Sequence, residues 1–194
     1  MAAHDGLTPL DPDVALEEDD WVDVSITGGS FSGEDLEGFR MTNAHLVDCD
    51  LSGATLLGAS MWRVTFERCR MSGAVLDGAE LKDVHLVGCK VDTSSFRGTK
   101  GERVVLEDCV LREADLTGAS WTAARVFDCD LRGATVTDAR LPGARFHGSS
   151  LEETIGLETL RGYVLDPQQG IAVGLRVLEL LGVSYDEERE PASP

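Results

Sequence analysis

The sequence contains no apolar run long enough to cross a membrane. No segment approaches the roughly 18 consecutive apolar residues of a membrane-spanning helix. The first residues also lack the positive charges, followed by an apolar stretch, that mark a secretory signal. We therefore expect no membrane association and a cytoplasmic location, where thiols stay reduced.

The sequence is also poor in positive charge. Lys and Arg number 17 against 35 Asp and Glu, and the formal net charge at pH 7 is −18. Residues 1–30 contain eight carboxylates and neither Lys nor Arg. This charge disfavours direct binding to nucleic acid or to an anionic membrane. The complementary expectation is a basic protein partner, including a protein groove that holds DNA.

Motifs of catalysis and of metal or cofactor binding are missing as well. No CxxC pair occurs among the five cysteines, no Gly-rich loop has the spacing that cradles phosphate, and no Ser has a His and an acid placed by motif. The cysteines recur once every 20 residues, which favours small buried hydrophobic residues over a zinc site. We expect no catalytic residue, no metal, no cofactor and no enzymatic activity.

The sequence does contain a period of five. A large apolar residue returns at every fifth position from Phe31 to Leu151, with Gly101 as the exception. Two residues before each of these positions, from Ala44 onward, stands Ala, Cys, Val, Ser or Thr. Neither the helical period of 3.6 nor the strand period of 2 explains this spacing, which indicates a repeat architecture. Gly101 would leave a gap in the apolar layer, so we expect a local bulge or a mobile side there.

A second period of 20 residues contains the first. The five cysteines from Cys49 to Cys129 follow it, so four pentapeptides make one four-sided coil with the apolar sets pointing inward. Neighbouring coils should hydrogen-bond as parallel strands about 4.8 Å apart. Residues 31–151 then form about six coils of an all-β solenoid, a rod roughly 30 Å long.

These residues resemble the pentapeptide-repeat family, whose motif is A(D/N)LXX. The motif is present as Ala114-Asp115-Leu116, and with Cys in the first position as Cys129-Asp130-Leu131. The resemblance covers about two thirds of the chain. It implies a right-handed quadrilateral parallel β-helix. It does not imply one function, because the family has many unrelated roles.

The period divides the chain into four parts. Residues 1–20 are acidic and aperiodic, and predict a disordered leader. Residues 21–151 predict the β-helix. Residues 152–183 predict a C-terminal α-helical cap, and residues 184–194 a disordered acidic tail.

Helix signals follow the last pentapeptide. Ser150 with Glu153 has the spacing of a capping box. A later helix is expected after Asp166 as N-cap and Pro167 as first residue, and should end near Leu181. Its apolar stripe must cover the last coil on one side, and its surplus is a candidate surface for a second copy. The residues of this candidate dimer helix are Ile171, Leu175, Leu178 and Leu181.

The period of 20 also assigns the outward carboxylates to sides of the coil. The first acidic face lies along Leu56, Leu76 and Leu116, with only Arg97 as a cation. Its carboxylates are Asp35, Glu37, Asp77, Asp115 and Asp138. The second acidic face, along Leu46, Phe66 and Leu106, has three arginines and the carboxylates Asp48, Glu67, Glu107, Asp108 and Asp128.

A third side, along Met61 and Leu81, is basic by the same assignment. Its cations, which exceed its three carboxylates, are Arg40, Arg63, Lys82, Lys100, Arg103 and Arg140. The two acidic faces are either candidate interaction surfaces or the ordinary solvated surface of an acidic protein. Sequence alone does not separate these alternatives.

Within the family, the chain resembles the quinolone-resistance members in its acidic coil and in the ending from Tyr163 to Gly182, which is similar to the dimerising segment of the mycobacterial member. That resemblance implies a homodimer that mimics B-form DNA and binds DNA gyrase, protecting it from inhibitors or competing with DNA. The alternative is a structural scaffold that presents one face to an unknown protein.

Overall fold

A computed structural model of the chain describes residues 6–159 and 161–183. The strands are β1 (Thr8–Pro9), β2 (Asp20–Thr27), β3 (Arg40–Val47), β4 (Ser60–Glu67), β5 (Glu80–Val87), β6 (Lys100–Glu102), β7 (Val105–Glu107), β8 (Ser120–Thr122), β9 (Arg125–Phe127), β10 (Arg145–His147) and β11 (Val164–Leu165). The helices are α1 (Pro12–Ala15) and α2 (Pro167–Leu180), and a 3₁₀ turn spans Leu157–Thr159. The predicted tail, 184–194, lies outside the described residues, as do residues 1–5 of the predicted leader.

Each coil lies in register with the next at a separation of 20 residues. Met61 pairs with Met41 on one side and with Leu81 on the other, always in parallel strands. Two consecutive sides of the coil form these strands, and the other two pair through single bridges such as that of Asp50 with Arg70. The result is a parallel β-solenoid of about eight coils, which confirms the fold that the periods of five and 20 predict.

The small inward residues form columns along the axis, and the cysteine column shows how. All five cysteines are free and buried. The Sγ of Cys89 donates to the carbonyl oxygen of Phe66 at 3.3 Å, and Cys109 repeats the contact with Leu86 at 3.3 Å. Contact with the neighbouring thiols of Cys109 and Cys69 raises the pKa of Cys89, and burial raises it further. The buried cysteines of the column therefore pack as small apolar residues.

Gly101 leaves neither a gap nor a bulge, so the expectation of a local bulge is wrong. Gly101 pairs in register with Leu81 and with Trp121. A Cβ atom on Gly101 would lie 2.5 Å from Cδ1 of Trp121, because the indole of the next coil occupies that space. The Nε1 of Trp121 donates to Oγ1 of Thr99 at 3.0 Å, which satisfies the buried indole. The small residue in one coil and the large residue 20 positions later fill one core layer together.

Residues 6–20 form a cap over the first coil, in place of the expected disordered leader. β1 pairs in parallel with β2, and α1 packs on β2. The Nε1 of Trp21 donates to the carbonyl oxygen of Ala15 at 3.0 Å. The indole also lies 4.9 Å, between ring centroids, from both Phe31 and Phe39. The segment orders because it covers this aromatic end of the core, which an acidic composition does not reveal.

The coil also continues past its predicted end. Ser150 bridges Asp130, and Ile155 bridges Thr135, each at the 20-residue separation. Glu153 sits at a corner with φ of 59°, which is outside the α-helical region. The predicted capping box of Ser150 and Glu153 is therefore wrong, because this segment pairs with the previous coil instead of starting a helix.

α2 closes the C-terminal end, with the start and stop that the sequence predicts. The Asp166 carboxylate accepts from the backbone nitrogens of Gln168 and Gln169, both at 2.9 Å. The Nε2 of Gln169 donates to the carbonyl oxygen of Ser149 at 2.7 Å, and Val173 is buried beside it. The helix thus rests on the coil through Gln169, Val173 and the partly buried Val177, whereas the four candidate dimer residues stay exposed. Within the described residues, no helix is long and apolar enough to span a membrane.

Candidate protein-interaction surface

The carboxylates at the centre of the first acidic face are engaged by their neighbours. Asp77 accepts from the Oγ of Ser95 and from the backbone nitrogen of Arg97. Asp115 accepts from Nη1 of Arg97 at 2.9 Å and from the nitrogen of Thr117 at 2.8 Å. Partial burial opposes ionisation of Asp115, but the hydrogen bonds from Thr117 and the charge of Arg97 outweigh it and lower its pKa. Arg97 thus neutralises Asp115, whereas Asp77 is hydrogen-bonded by neutral groups and keeps its charge.

The remaining predicted residues of this face lie towards its ends. Asp35 accepts from the backbone nitrogen of Glu37 at 3.2 Å in the first coil, and both residues are exposed. Asp138 is exposed near the other end. The five predicted carboxylates follow one side of the rod and do not converge on a single point.

The second acidic face is neutralised at one end only. Arg68 donates hydrogen bonds to both carboxylate oxygens of Asp48, at 2.8 and 3.0 Å, and forms an ion pair with Glu67. These hydrogen bonds lower the pKa of Asp48. Glu67 also lies 3.2 Å from Nε2 of His45. Of the predicted residues, those without an ion pair inside the described part of the chain are Glu107, Asp108 and Asp128.

The basic face is nearly neutral along its middle. Nζ of Lys82 lies 3.7 Å from Glu102, and Nζ of Lys100 lies 3.6 Å from Glu80. The cations of this face that form no ion pair with any described residue are Arg40, Arg63 and Arg140. The positive excess is therefore local, at the two ends of the face, and the rod does not carry a continuous basic side.

The fourth face, which includes Asp50 and Arg70, carries further ion pairs between coils. Nη2 of Arg70 lies 2.8 Å from Asp50. Asp130 accepts from Arg132 at 2.7 Å and from Arg112 at 2.5 Å. The hydrogen bonds from Arg132, and to a smaller extent those from Arg112, hold the pKa of Asp130 well below its usual range. Arginines one coil away are therefore a general means by which this rod neutralises its carboxylates.

The N-terminal end is the exception, and it carries the largest unneutralised charge. Residues 6–39 contain ten carboxylates and no Lys or Arg, and the first cation of the chain is Arg40. None of these carboxylates forms an ion pair within 6–159 and 161–183. Face assignment from the sequence missed this surface because it gave most of these residues to a disordered leader. The available signal was the missing Lys and Arg before Arg40.

The C-terminal end presents apolar side chains instead. Ile171 is 67% exposed and Leu181 is 73% exposed, and Leu175 and Leu178 are exposed between them. All four predicted dimer-helix residues are therefore exposed on α2, although Leu175 also lines the cleft that faces the last coil. Val173 is buried on the inner side.

A cleft of about 470 Å³ separates α2 from the last coil. Its lining is mixed, with Leu151, Thr154 and Leu157 from the coil and Arg176 and Glu179 from the helix. Nowhere in the described part of the chain do three or more His, Cys, Asp or Glu side chains form a group that could hold a metal ion.

A four-sided parallel β-solenoid with a charged surface and capped ends defines a pentapeptide-repeat structure. The family model for a pentapeptide repeat region matches residues 59–135, and the model for pentapeptide repeats in eight copies matches 22–56, 30–68 and 129–155. Together these matches span more than half of the chain. The chain belongs to the pentapeptide-repeat family.

Several solved structures are similar to this chain. QnrB1, a plasmid-mediated fluoroquinolone resistance protein, is 21% identical, with 86% of this chain and 91% of that chain covered and a TM-score of 0.41. HetL, involved in heterocyst differentiation regulation in the cyanobacterium Nostoc, is 17% identical over 76% of this chain and 90% of that chain, with a TM-score of 0.44. A pentapeptide repeat protein of the Arabidopsis thaliana thylakoid lumen is 24% identical over 74% and 76%, with a TM-score of 0.37. No curated protein sequence matches the chain.

Proposed function

We propose that this protein acts without catalysis, as a cytoplasmic rod that binds the DNA groove of a type II topoisomerase such as DNA gyrase. The acidic surface would compete with DNA for that groove, or protect the enzyme from an inhibitor that acts on the DNA complex. The resemblance of the coil and of its Tyr163–Gly182 ending to quinolone-resistance members supports this partner.

The observation that carries the proposal is the surplus of carboxylates at the N-terminal end. The ten carboxylates of residues 6–39 form no ion pair within the described residues, whereas Arg68, Arg97 and Arg132 engage carboxylates on the later coils. Exposed charges without an ion pair attract a basic groove over about 10 Å at 0.1 M ionic strength and farther at lower salt, and paired charges do so far less. We therefore expect the N-terminal end, rather than the middle of either acidic face, to make the principal contact.

The test is inhibition of gyrase supercoiling by the purified protein across a salt series, with and without a quinolone-type poison. A mimic of DNA should inhibit or protect at low salt and lose the effect steeply as salt rises. No effect at a large excess of protein would contradict the proposal.

Charge-neutralising variants locate the contact. Glu17→Gln, Glu18→Gln and Asp19→Asn together remove three exposed charges from the N-terminal end. The matched set Asp77→Asn, Asp115→Asn and Asp138→Asn removes three from the first acidic face. The first set should weaken inhibition about tenfold or more, and the second set less, because Asp115 is already neutralised by Arg97 and the side chain of Asp77 is hydrogen-bonded within the coil. Equal effects of the two sets would contradict the N-terminal location.

The second candidate is an interaction scaffold, and the outer face of α2 favours it. Ile171, Leu175, Leu178 and Leu181 are exposed along one helix, where a second copy would bury them. We propose a homodimer through this surface under either function. A scaffold that binds its partner through apolar contact should keep that binding at high salt, which separates it from the DNA mimic.

A further inference from the structure

Trp62 stands out among the tryptophans because its side chain faces solvent. It lies in β4 on the basic face and is 47% exposed, whereas Trp21 and Trp121 are buried. The guanidinium carbon of Arg63 lies 4.5 Å from the Trp62 ring centroid, and Nζ of Lys82 lies 5.9 Å from it. The indole therefore makes cation–π contacts and still exposes about half of its surface to solvent.

Arg63 occupies a corner position that two other arginines share. Arg68 and Arg103 have the same left-handed backbone, with φ of 52° and 54°. Each of them binds the aspartate 20 residues earlier through two nitrogens: Arg68 binds Asp48, and Arg103 binds Asp83. A corner arginine in this solenoid thus normally holds a carboxylate in a bidentate pair.

Arg63 lacks that partner. The residue 20 positions earlier is Asn43, whose Nδ2 donates to Asp23 at 2.5 Å. With φ of 54°, Arg63 has the same corner geometry, yet its guanidinium lies over Trp62 and forms no ion pair with any described residue. Its hydrogen-bond donors remain available to a carboxylate from outside.

The side chains around Trp62 add apolar surface and a second cation. Val22 and Thr42 precede Trp62 in the same register column, and Val22 is exposed. Arg40, two residues before Thr42, also has no ion pair within the described residues. Tryptophan and arginine at the centre of such a mixed patch are the residue types that dominate binding energy in protein interfaces.

We propose that Trp62 and Arg63 anchor a protein-docking site whose partner presents a single Asp or Glu carboxylate beside an apolar side chain. The carboxylate takes the place on Arg63 that Asp48 and Asp83 hold on Arg68 and Arg103, and the apolar side chain covers the indole of Trp62. The net charge of −18 selects against a polyanion such as nucleic acid and leaves a single carboxylate as the fitting group. This surface borders the acidic end at Val22, but its use of Trp62 and Arg63 does not depend on the topoisomerase proposal.

Two short peptides test the site on the full-length protein. The probes are acetyl-Leu-Asp-Leu amide and its Asn counterpart, titrated into ¹⁵N-labelled protein and followed by NMR. The indole N–H of Trp62 and the Nε–H of Arg63 should shift saturably with the Asp peptide, and the Asn peptide should bind roughly tenfold more weakly. The Nε–H signals of Arg68 and Arg103 should not move, because their donors are occupied.

Variants decide whether these residues are responsible. Trp62→Ala and Arg63→Asn should each abolish the saturable shift of the other residue. Asn is a favourable residue at a left-handed corner, as Asn43 shows with φ of 51°, so Arg63→Asn removes the guanidinium without straining the backbone. Lys90→Gln, which removes an exposed cation from the fourth face, should leave the affinity unchanged. Equal binding of the two peptides, no saturable shift, or full affinity in Arg63→Asn would each overturn the proposal.

Discussion

The two ends of the solenoid solve the same problem with opposite surfaces. At the N-terminal end, β1 and α1 cover Trp21 and leave carboxylates outside. At the C-terminal end, α2 covers the last coil through Val173 and leaves Ile171 and Leu178 outside. Both caps protect apolar core and strand edges from water and from other chains. The difference teaches that covering the core does not decide a cap's outer surface, so one end is suited to a basic partner and the other to an apolar one.

The largest difference between the ends should be in stability. Trp21→Ala removes the largest side chain of an aromatic cluster that includes Phe31 and Phe39, and should lower the free energy of unfolding by about 3–5 kcal/mol. Urea denaturation followed by circular dichroism measures this loss. Trp62→Ala is the matched control, because its exposed indole should cost about 0.5 kcal/mol or less. Similar losses in the two variants would show that the N-terminal cap does not hold a core.

The C-terminal cap should be weaker. Val173→Ala removes two buried methyl groups and should lower the free energy of unfolding by about 1–2 kcal/mol. The loss is smaller than at Trp21 because α2 contacts the coil along one side only. The loss should appear first as faster amide hydrogen exchange in α2, with the coil still protected. Uniform loss of protection along the whole chain would instead mean that α2 and the coil unfold as one unit.

The C-terminal cap should also respond to acid. Hydrogen bonds from Gln169, Gly148 and Gln168 lower the pKa of Asp166 below its ordinary value of 3.8. The stabilisation is therefore present above pH 3.8 and is lost as the pH falls through the lower folded-state value. Hydrogen exchange of α2 between pH 6 and pH 2 measures the change. Asp166→Asn, which still caps a helix and does not titrate, should remove this part of the pH dependence.

The smallest effect on folding should come from the outer side of α2. Ile171→Glu with Leu178→Glu should change the free energy of unfolding by about 0.5 kcal/mol or less, since both side chains are exposed. The same pair should convert a dimer to a monomer in sedimentation velocity, because two carboxylates per chain would be buried in the interface. Unchanged mass, with a dimer still present, would place self-association elsewhere.

Much of the fold followed from spacing along the chain. The return of an apolar residue every fifth position predicts which side chains are buried, and the return of Cys49 and its counterparts every 20 residues predicts the register. Helix α2 was also predicted from local signals, with Asp166 before it and Gly182 after it. These features depend on neighbouring residues or on a strict repeat, which a sequence displays directly.

The surface was less predictable, because neutralisation depends on contacts between coils. Arg97 belongs by sequence to the first acidic face, but only its approach to Asp115 at 2.9 Å shows which charge it cancels. The same holds for Arg63, whose missing partner becomes visible only by comparison with Arg68 and Arg103. Long side chains have several rotamers, and a sequence does not select among them.

The sequence by itself determined a four-sided coil, the identity of its core and the place of its closing helix, because a strict period leaves one register that buries every apolar residue. Only the tertiary structure decided that Trp121 fills the space above Gly101, that residues 6–20 cover Trp21, and that the carboxylates of residues 6–39 form no ion pair with any described residue. The physical reason is the direction of these contacts. They run between neighbouring coils, along the axis of the rod, where residues 20 positions apart in the chain lie side by side.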